Sequence, residues 1–487
     1  MINNIIILII MAIAVVQYRK QKMSWLLVTI GVAYVCMPVI KYGADSGLNS
    51  AYVITLVSFL MFVDSFFKGK LCLEKKHCRY LISMIVGVCF VFIGWIVNGN
   101  LILSGIIHFA GMLQYIIGVF IFSVFIKSYA VNKTLLFKRM FAIIIVLNYC
   151  IAILQLFYWK VGEIVTRQLY VYRGKNIPLD STFLESGRFV RVFGTFFSPT
   201  VLGIVSLLMS TFFLQEVIKQ KRLVVNDTIL YMASMGLGLL AFSKITIIGS
   251  FLILIISVFV EIVQGCAKGK IGVYFRTLAI VVSTYICIAS LQCAVGFGIY
   301  VNYYYVQNFN IFVALESRYG NIFSGLNENE EIKGTMDAEV IESVISTETV
   351  ESSASTETVE SSASTETVEG SASAEDKNDD NVQREGNVGG AFDVFVKHPI
   401  IGVGPLPVEG EFIGDSEYIS ILHDGGILRF LTYGYFYCGL VLYYFVRKCN
   451  YELLMLVGIG MGAVSMMVFS YGCIIPFMAY CICEQEK

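Results

Sequence analysis

Seven side chains in this sequence stand where they can act on an anionic, hydroxyl-bearing molecule. Arg191 occurs in the string RVFGTFFSPTVLG, a few residues ahead of an apolar run that begins near Thr195. A guanidinium at a helix mouth suits a phosphate group, because its planar fork donates two parallel hydrogen bonds and keeps its charge. The competing reading is that a long connecting segment simply carries bases, since Lys160, Arg167, Arg173, Lys175 and Arg188 lie in the same stretch. Lys244 sits in AFSKITIIG between two apolar runs with almost no turn. There it either reaches an anion or runs its ammonium out to water. Further on come Glu316 and Arg318 in ESRYGN, then His398 in DVFVKHPIIGVGPLP, then Asp415 and Glu417 in GDSEYISILHDGG. Carboxylates and an imidazole beside basic groups can exchange a proton with a substrate hydroxyl. For Asp424 and Ser416 the rival role is capping, in which a side-chain oxygen takes free amides at a helix start.

The elements that must position these groups are apolar helices. Of 487 residues 57% are hydrophobic and only 15% charged, with a mean hydropathy of +0.74. That much apolar surface cannot be hidden in a soluble fold of this length. Runs long enough to cross a bilayer core fall near residues 3–18, 24–40, 51–67, 81–97, 102–126, 140–159, 196–216, 227–243, 245–263, 277–300, 425–446 and 451–470. The expectation is an all-α polytopic membrane protein with about 12 transmembrane helices. The apolar tail from Tyr471 to Cys483 is short for a thirteenth.

Alternate connections are basic. They carry Arg19, Lys20 and Lys22; Lys68 to Arg79; Lys127 to Arg139; Lys219 to Arg222; Lys268 to Arg276; and Arg447 with Lys448. The positive-inside rule makes that set cytoplasmic and the segments at 160–195 and 301–424 external. The chain therefore divides into N-terminal helices (1–159), a basic external segment (160–195), central helices (196–300), a large late external loop (301–424) and C-terminal helices (425–487). His108, in the fifth run, is open between a packed polar residue and a proton relay. His77, in a basic loop, is expected to be solvated.

The charge balance is uneven. Residues 327–386 hold 17 of the 36 acidic residues and 3 of the 35 basic ones, leaving 19 acidic against 32 basic elsewhere. Inside this insert STETVESSA begins at Ser346 and Ser355, and STETVEGSA at Ser364. A stretch so acidic, and so poor in aromatics, cannot bury enough apolar area to offset ordering, so it is expected to be a disordered tether. None of the 13 cysteines falls in the long external segments, and no spacing matches a zinc site.

Taken in order, RVFGTFFSPTVLG, FSK, ESRYGN and the pair HPIIGVG and DSEYISIL resemble the O-antigen polymerase and O-antigen ligase family. That family includes capsular and exopolysaccharide repeat-unit polymerases. The likeness covers residues 180–424, and the helix count extends it to the whole chain. It implies a metal-independent glycosyltransferase of the bacterial plasma membrane that works on the extracytoplasmic face without a cofactor. Its partners would be a polyprenyl-pyrophosphate-linked oligosaccharide donor, a glycan acceptor and membrane lipid, with a flippase and a chain-length regulator nearby and no nucleic acid. Arg191, Lys244 and Arg318 match its pyrophosphate-binding positions, with lysine standing where relatives carry arginine. Asp415 and Ser416 replace the His-Asn of many ligases, which favours a polymerase. The rival classes are a transporter or lipid-linked glycan flippase, and a sensor or anchor built around the repeat.

Overall fold

A computed structural model describes residues 2–41, 47–98, 103–157, 159–170, 192–196, 198–219, 224–241, 243–264, 271–303, 394–405, 416–464 and 471–483. The expectations for Arg191, Arg318, Asp415 and the nonapeptide repeat lie outside these residues. The described residues are all-α, with one two-residue antiparallel pair, β1 (Ile40–Lys41) against β2 (Gly47–Leu48). Seven described helices are long and apolar enough to cross a membrane by length and composition.

The helices follow the apolar runs, with boundaries set by local chemistry. They begin with α1 (Ile2–Arg19) and α2 (Met23–Cys36). α2 was expected to reach residue 40 but stops at Cys36, because Met37 precedes Pro38 and turns extended (φ −73°, ψ 138°). α3 (Ala51–Phe67) follows, then α4 (Lys75–Val97). α4 starts six residues before the apolar run at 81. Glu74 and His77 form a capping box there, the Glu74 amide donating to His77 Nδ1 at 3.1 Å. His77 is therefore buried, not solvated as the sequence suggested. α5 (Leu103–Tyr129) and α6 (Lys133–Phe157) come next. The short amphipathic α7 (Trp159–Leu169) occupies the start of the segment read as an external connection.

The second half contains α8 (Pro199–Lys219), α9 (Val225–Leu240), α10 (Lys244–Val263) and α11 (Ile271–Tyr303). It continues with α12 (Glu417–Arg447), α13 (Asn450–Ala463), a 3-10 turn at Gly472–Ile474 and α14 (Ile475–Ile482). α8 is the central pillar: its apolar window is 100% buried, against 17% for α11 at the periphery. α9, α10 and α13 pack on α8, and α12 packs on α4. The tail is not an outlying helix. Every residue of α14 is buried, with Phe477 stacked on Phe141 (centroids 5.1 Å) and Tyr480 edge-on to Phe137 (4.7 Å).

Ion pairs gather the lysine-bearing ends. Lys127 pairs with Glu74 at 2.8 Å, Lys133 with Glu452 at 2.7 Å, and Lys138 with both Glu216 and Asp227. Lys133 also donates to the Cys483 carbonyl and lies 3.8 Å from the Tyr480 ring centroid. The bundle thus has a basic end, and Lys244 and Glu417 begin helices at the other.

Candidate functional site: a broken helix and a clamped turn

α12 was expected to begin at residue 425. It begins at Glu417, because Tyr418, Ile419, Ile421 and Leu422 continue the helix behind a polar opening. The helix is then interrupted: Gly426 has φ 62° and ψ −162°, a left-handed conformation that favours glycine. Interruption frees backbone groups that a buried position must satisfy. The segment 398–405 supplies the partners. Val403 and Gly404 amides donate to the His423 and Asp424 carbonyls, both at 3.0 Å. In return the Ile427 and Leu428 amides donate to the carbonyls of Pro399 (2.8 Å) and Ile400 (3.3 Å).

Glycines make this docking possible. Gly402 and Gly404 have φ of 71° and 98°, and a Cβ on Gly402 would lie 2.4 Å from the His423 oxygen. α4 closes the other side. Gly94 lets Ile401 approach, and Asn98 Nδ2 donates to the Gly402 carbonyl at 3.2 Å. HPIIGVG is therefore a backbone hook. His398 contributes its carbonyl, which accepts from the Gly402 amide at 3.0 Å, while its side chain is exposed.

Beneath the hook lies a buried charge cluster. Asp424 accepts from Arg429 Nη1 at 3.0 Å and from Ser420 Oγ at 3.3 Å, and its other oxygen lies 3.0 Å from His423 Nδ1. Arg429 sits over the Tyr433 ring, 5.1 Å from its centroid, and Nη2 reaches Met112 Sδ on α5 at 3.7 Å. Glu417 is also buried, and its charge acts on Arg429 and Tyr115; His108 on α5 acts on Asp424. Among the described residues, His423 Nε2 and Arg429 Nε find no hydrogen-bond partner.

Capping does not explain Asp424 or Ser416. Asp424 lies inside the helix and spends its oxygens on the cluster, and Ser416, at the N-cap, makes no side-chain cap bond. Of the expected acid–base residues, Glu417 is brought into this cluster, His398 is not, and Asp415 lies outside the described residues.

The second feature is the turn that follows Arg191. The Val192 amide donates to the Leu240 carbonyl at the end of α9, at 3.1 Å. Phe193 and Gly194 amides donate to Gln155 Oε1 at 2.9 and 3.0 Å, and the Thr195 amide donates to Asn148 Oδ1 at 2.9 Å. α8 then packs against the start of α10. Thr246 Oγ1 donates to the Gly203 carbonyl at 2.8 Å, and a Cβ on Gly203 would fall 2.2 Å from Ser243. Lys244, the first residue of α10, is exposed at this junction. The starts of these two helices thus lie side by side, and the Thr200 amide of α8 is already taken by Ser198 Oγ at 3.2 Å.

The sequence reading missed Arg429, Gln155 and Asn148. Each stands within an apolar run, and a polar group at such a position demands a partner. That signal was available in the sequence. No family model matches this chain, and neither a curated protein nor a solved structure does. The functional reading therefore stands on the chain's own residues.

Proposed function

We propose that this chain is an extracytoplasmic glycan polymerase that joins polyprenyl-pyrophosphate-linked oligosaccharide repeat units into a surface polysaccharide. In this reading it crosses a bacterial plasma membrane about twelve times, with the basic end cytoplasmic and the late loop outside. The supporting observation is the 3.1 Å hydrogen bond from the Val192 amide to Leu240. It ties Val192, the residue after Arg191 in sequence, to the end of α9, four residues before Lys244.

In the proposed reaction an acceptor hydroxyl oxygen bonds to the donor's reducing-end carbon as the bond from that carbon to pyrophosphate breaks. The polyprenyl pyrophosphate leaves with the electron pair. Fixed cations stabilise the charge that develops there, which is the largest service a protein can render this step. The hydroxyl proton passes to a base, for which Asp415, Glu417 and His398 are the candidates. Arg318 is the third expected cation.

The test is the glycan profile of cells expressing Arg318→Ala at normal protein level. Accumulation of single lipid-linked repeat units with loss of long polymer is the expected result. An unchanged polymer ladder would sink the arginine's role and turn attention to transport. The transporter reading has its own observation: a discontinuous helix with buried charge, as α12 has at Asp424 and Arg429, is common at transporter binding sites. It predicts lipid-linked units trapped on the cytoplasmic side, whereas a polymerase defect leaves them outside.

A further inference from the structure

We propose that α7 is an interfacial helix, lying flat in the headgroup–acyl boundary of the bilayer at the end of the bundle opposite the basic loops, with Val161 and Ile164 turned into lipid. Its path is fixed by what it touches. Gly162 packs so closely on α6 that a Cβ there would fall 2.6 Å from the Gln155 Cα. One turn on, Thr166 Oγ1 accepts from Gln155 Nε2 at 2.7 Å and donates to the Gly162 carbonyl at 2.7 Å. Near the C-terminal end of α7 the Leu169 carbonyl accepts from the Val39 amide, and the Gln168 carbonyl from Asn3 Nδ2, both at 2.7 Å. Asn3 Nδ2 also donates to the Val39 carbonyl at 3.0 Å. Gln155 stands near the end of α6, Val39 just beyond the end of α2, and Asn3 at the start of α1. A helix running along the bundle would climb about 1.5 Å per residue past its neighbours. α7 passes instead from one helix end to the next, and so lies across them as a strap.

The side chains of the strap are sorted the wrong way round for water. Gly162, Thr166 and, just past the helix, Tyr170 are buried, and the Gln155 they meet is buried too. Val161 and Ile164, one turn apart on the opposite side, are 49% and 61% exposed, with Gln168 at the far end of the same face. Val165 and Leu169 are half-buried between the two faces. A surface helix in water turns its apolar stripe to the core. Here small and polar side chains take that place, and a valine and an isoleucine point away.

What covers the outer pair follows from the surface on either side, because exposed apolar side chains continue past both ends of the strap. On α6 Ile153, two residues before Gln155, is 49% exposed. On α1 Ile2 and Ile5, which flank Asn3, are 70% and 52% exposed. α1 and α6 are both long and apolar enough to cross a membrane. Their exposed side chains at this end are the margin of a lipid-facing belt, and Val161 and Ile164 extend that margin. A flat helix in this place carries its apolar face about 5–10 Å into the headgroup and acyl region. The strap thereby fixes how deep this end of the bundle sits relative to the membrane surface.

The experiment uses the full chain in phosphatidylcholine nanodiscs and reads tryptophan fluorescence. Ile164→Trp adds one emitter to the chain's three tryptophans, and its signal is the difference from wild type. The lipid carries bromine either near the headgroup end or near the methyl end of its acyl chains. Bromine near the headgroup should quench the added emission about twofold more than deep bromine. Ile255→Trp, at the middle of α10 where Ile255 is 63% exposed, should show the reverse order and serves as the deep reference. Val161→Trp should repeat the Ile164→Trp result, and stands in for it if that variant does not fold. Quenching by aqueous iodide but by neither bromolipid would place the face in water. Quenching by none of the three would mean that another part of the chain, or a second copy, covers it. Stronger quenching by the deep bromine would put the helix in the hydrocarbon core. Each of these three results overturns the proposal. Quenching reads depth rather than turnover, so the outcome is separate from that of the polymerase reading.

Discussion

Arg429 donates to Asp424 across 3.0 Å, five residues along the same interrupted helix, with each side chain 1% exposed. An unbroken helix places side chains four apart on one face and offsets those five apart. The break at Gly426 is what turns the two side chains toward each other. A buried pair of this kind is no sure source of stability, but removing one partner strands the other charge.

Asp424→Asn and Arg429→Met should therefore each lower stability by about 3–5 kcal/mol. The double variant should be more stable than either single one. Thermal unfolding of purified protein in one detergent, across all four forms, checks this; additive losses would mean that the pair is not coupled.

The hook makes a second prediction. Gly402→Ala and Gly426→Ala place a Cβ 2.4–2.5 Å from the facing backbone at a left-handed φ, and should cost about 1–3 kcal/mol locally. Hydrogen exchange should quicken at the amides of Val403, Gly404, Ile427 and Leu428. Gly434→Ala, in the same helix with nothing within 4 Å of its Cβ, should leave exchange there unaltered.

Most of the helices could be read from the sequence because lipid-facing helices carry their signal in every residue, and the apolar runs overlap α1 to α6 and α8 to α13. α7 could not, since WKVGEIVTRQL is amphipathic and polar on average. Gly402 and Gly404 of HPIIGVG are a local signal for a turn, yet nothing local reveals that the partner of that turn is a gap in a helix some 20 residues on. For the same reason Asp424 looked like a cap. Its true partner, Arg429, lay inside the run expected to span, where hydropathy averages a lone charge away. The buried amides of α6 show in the sequence only as polar residues within an apolar run, and their partners lie in a turn about 40 residues distant.

At the basic end, Lys133 holds Glu452 and the Cys483 carbonyl while only 6% exposed. Lys133→Met should loosen the C-terminal segment without unfolding the bundle. Thiol labelling of the native protein reads this directly. In wild type Cys72 and Cys78 are exposed and should react, and Cys473, Cys481 and Cys483 are buried and should not. The variant should add labelling at Cys483 first. Protection of Cys483 in both forms would show that the aromatic packing of Phe477 and Tyr480 holds the segment unaided.

The acidic insert can be separated from the rest by deletion. Its three nonapeptides bring Ser, Thr, Glu and Ala, with no aromatic residue to anchor a fold. Removing residues 340–380 takes out 41 residues and shortens the expected tether while leaving Arg318 and the 398–405 hook in the chain. The closure entropy of such a loop changes only slowly with length, by about 0.6 kcal/mol per doubling. Polymer yield and chain-length distribution in cells should therefore match wild type at equal protein level. Loss of polymer with normal protein abundance would mean instead that the repeat itself engages substrate or a partner, and would move the working part of the loop from its two ends to its middle.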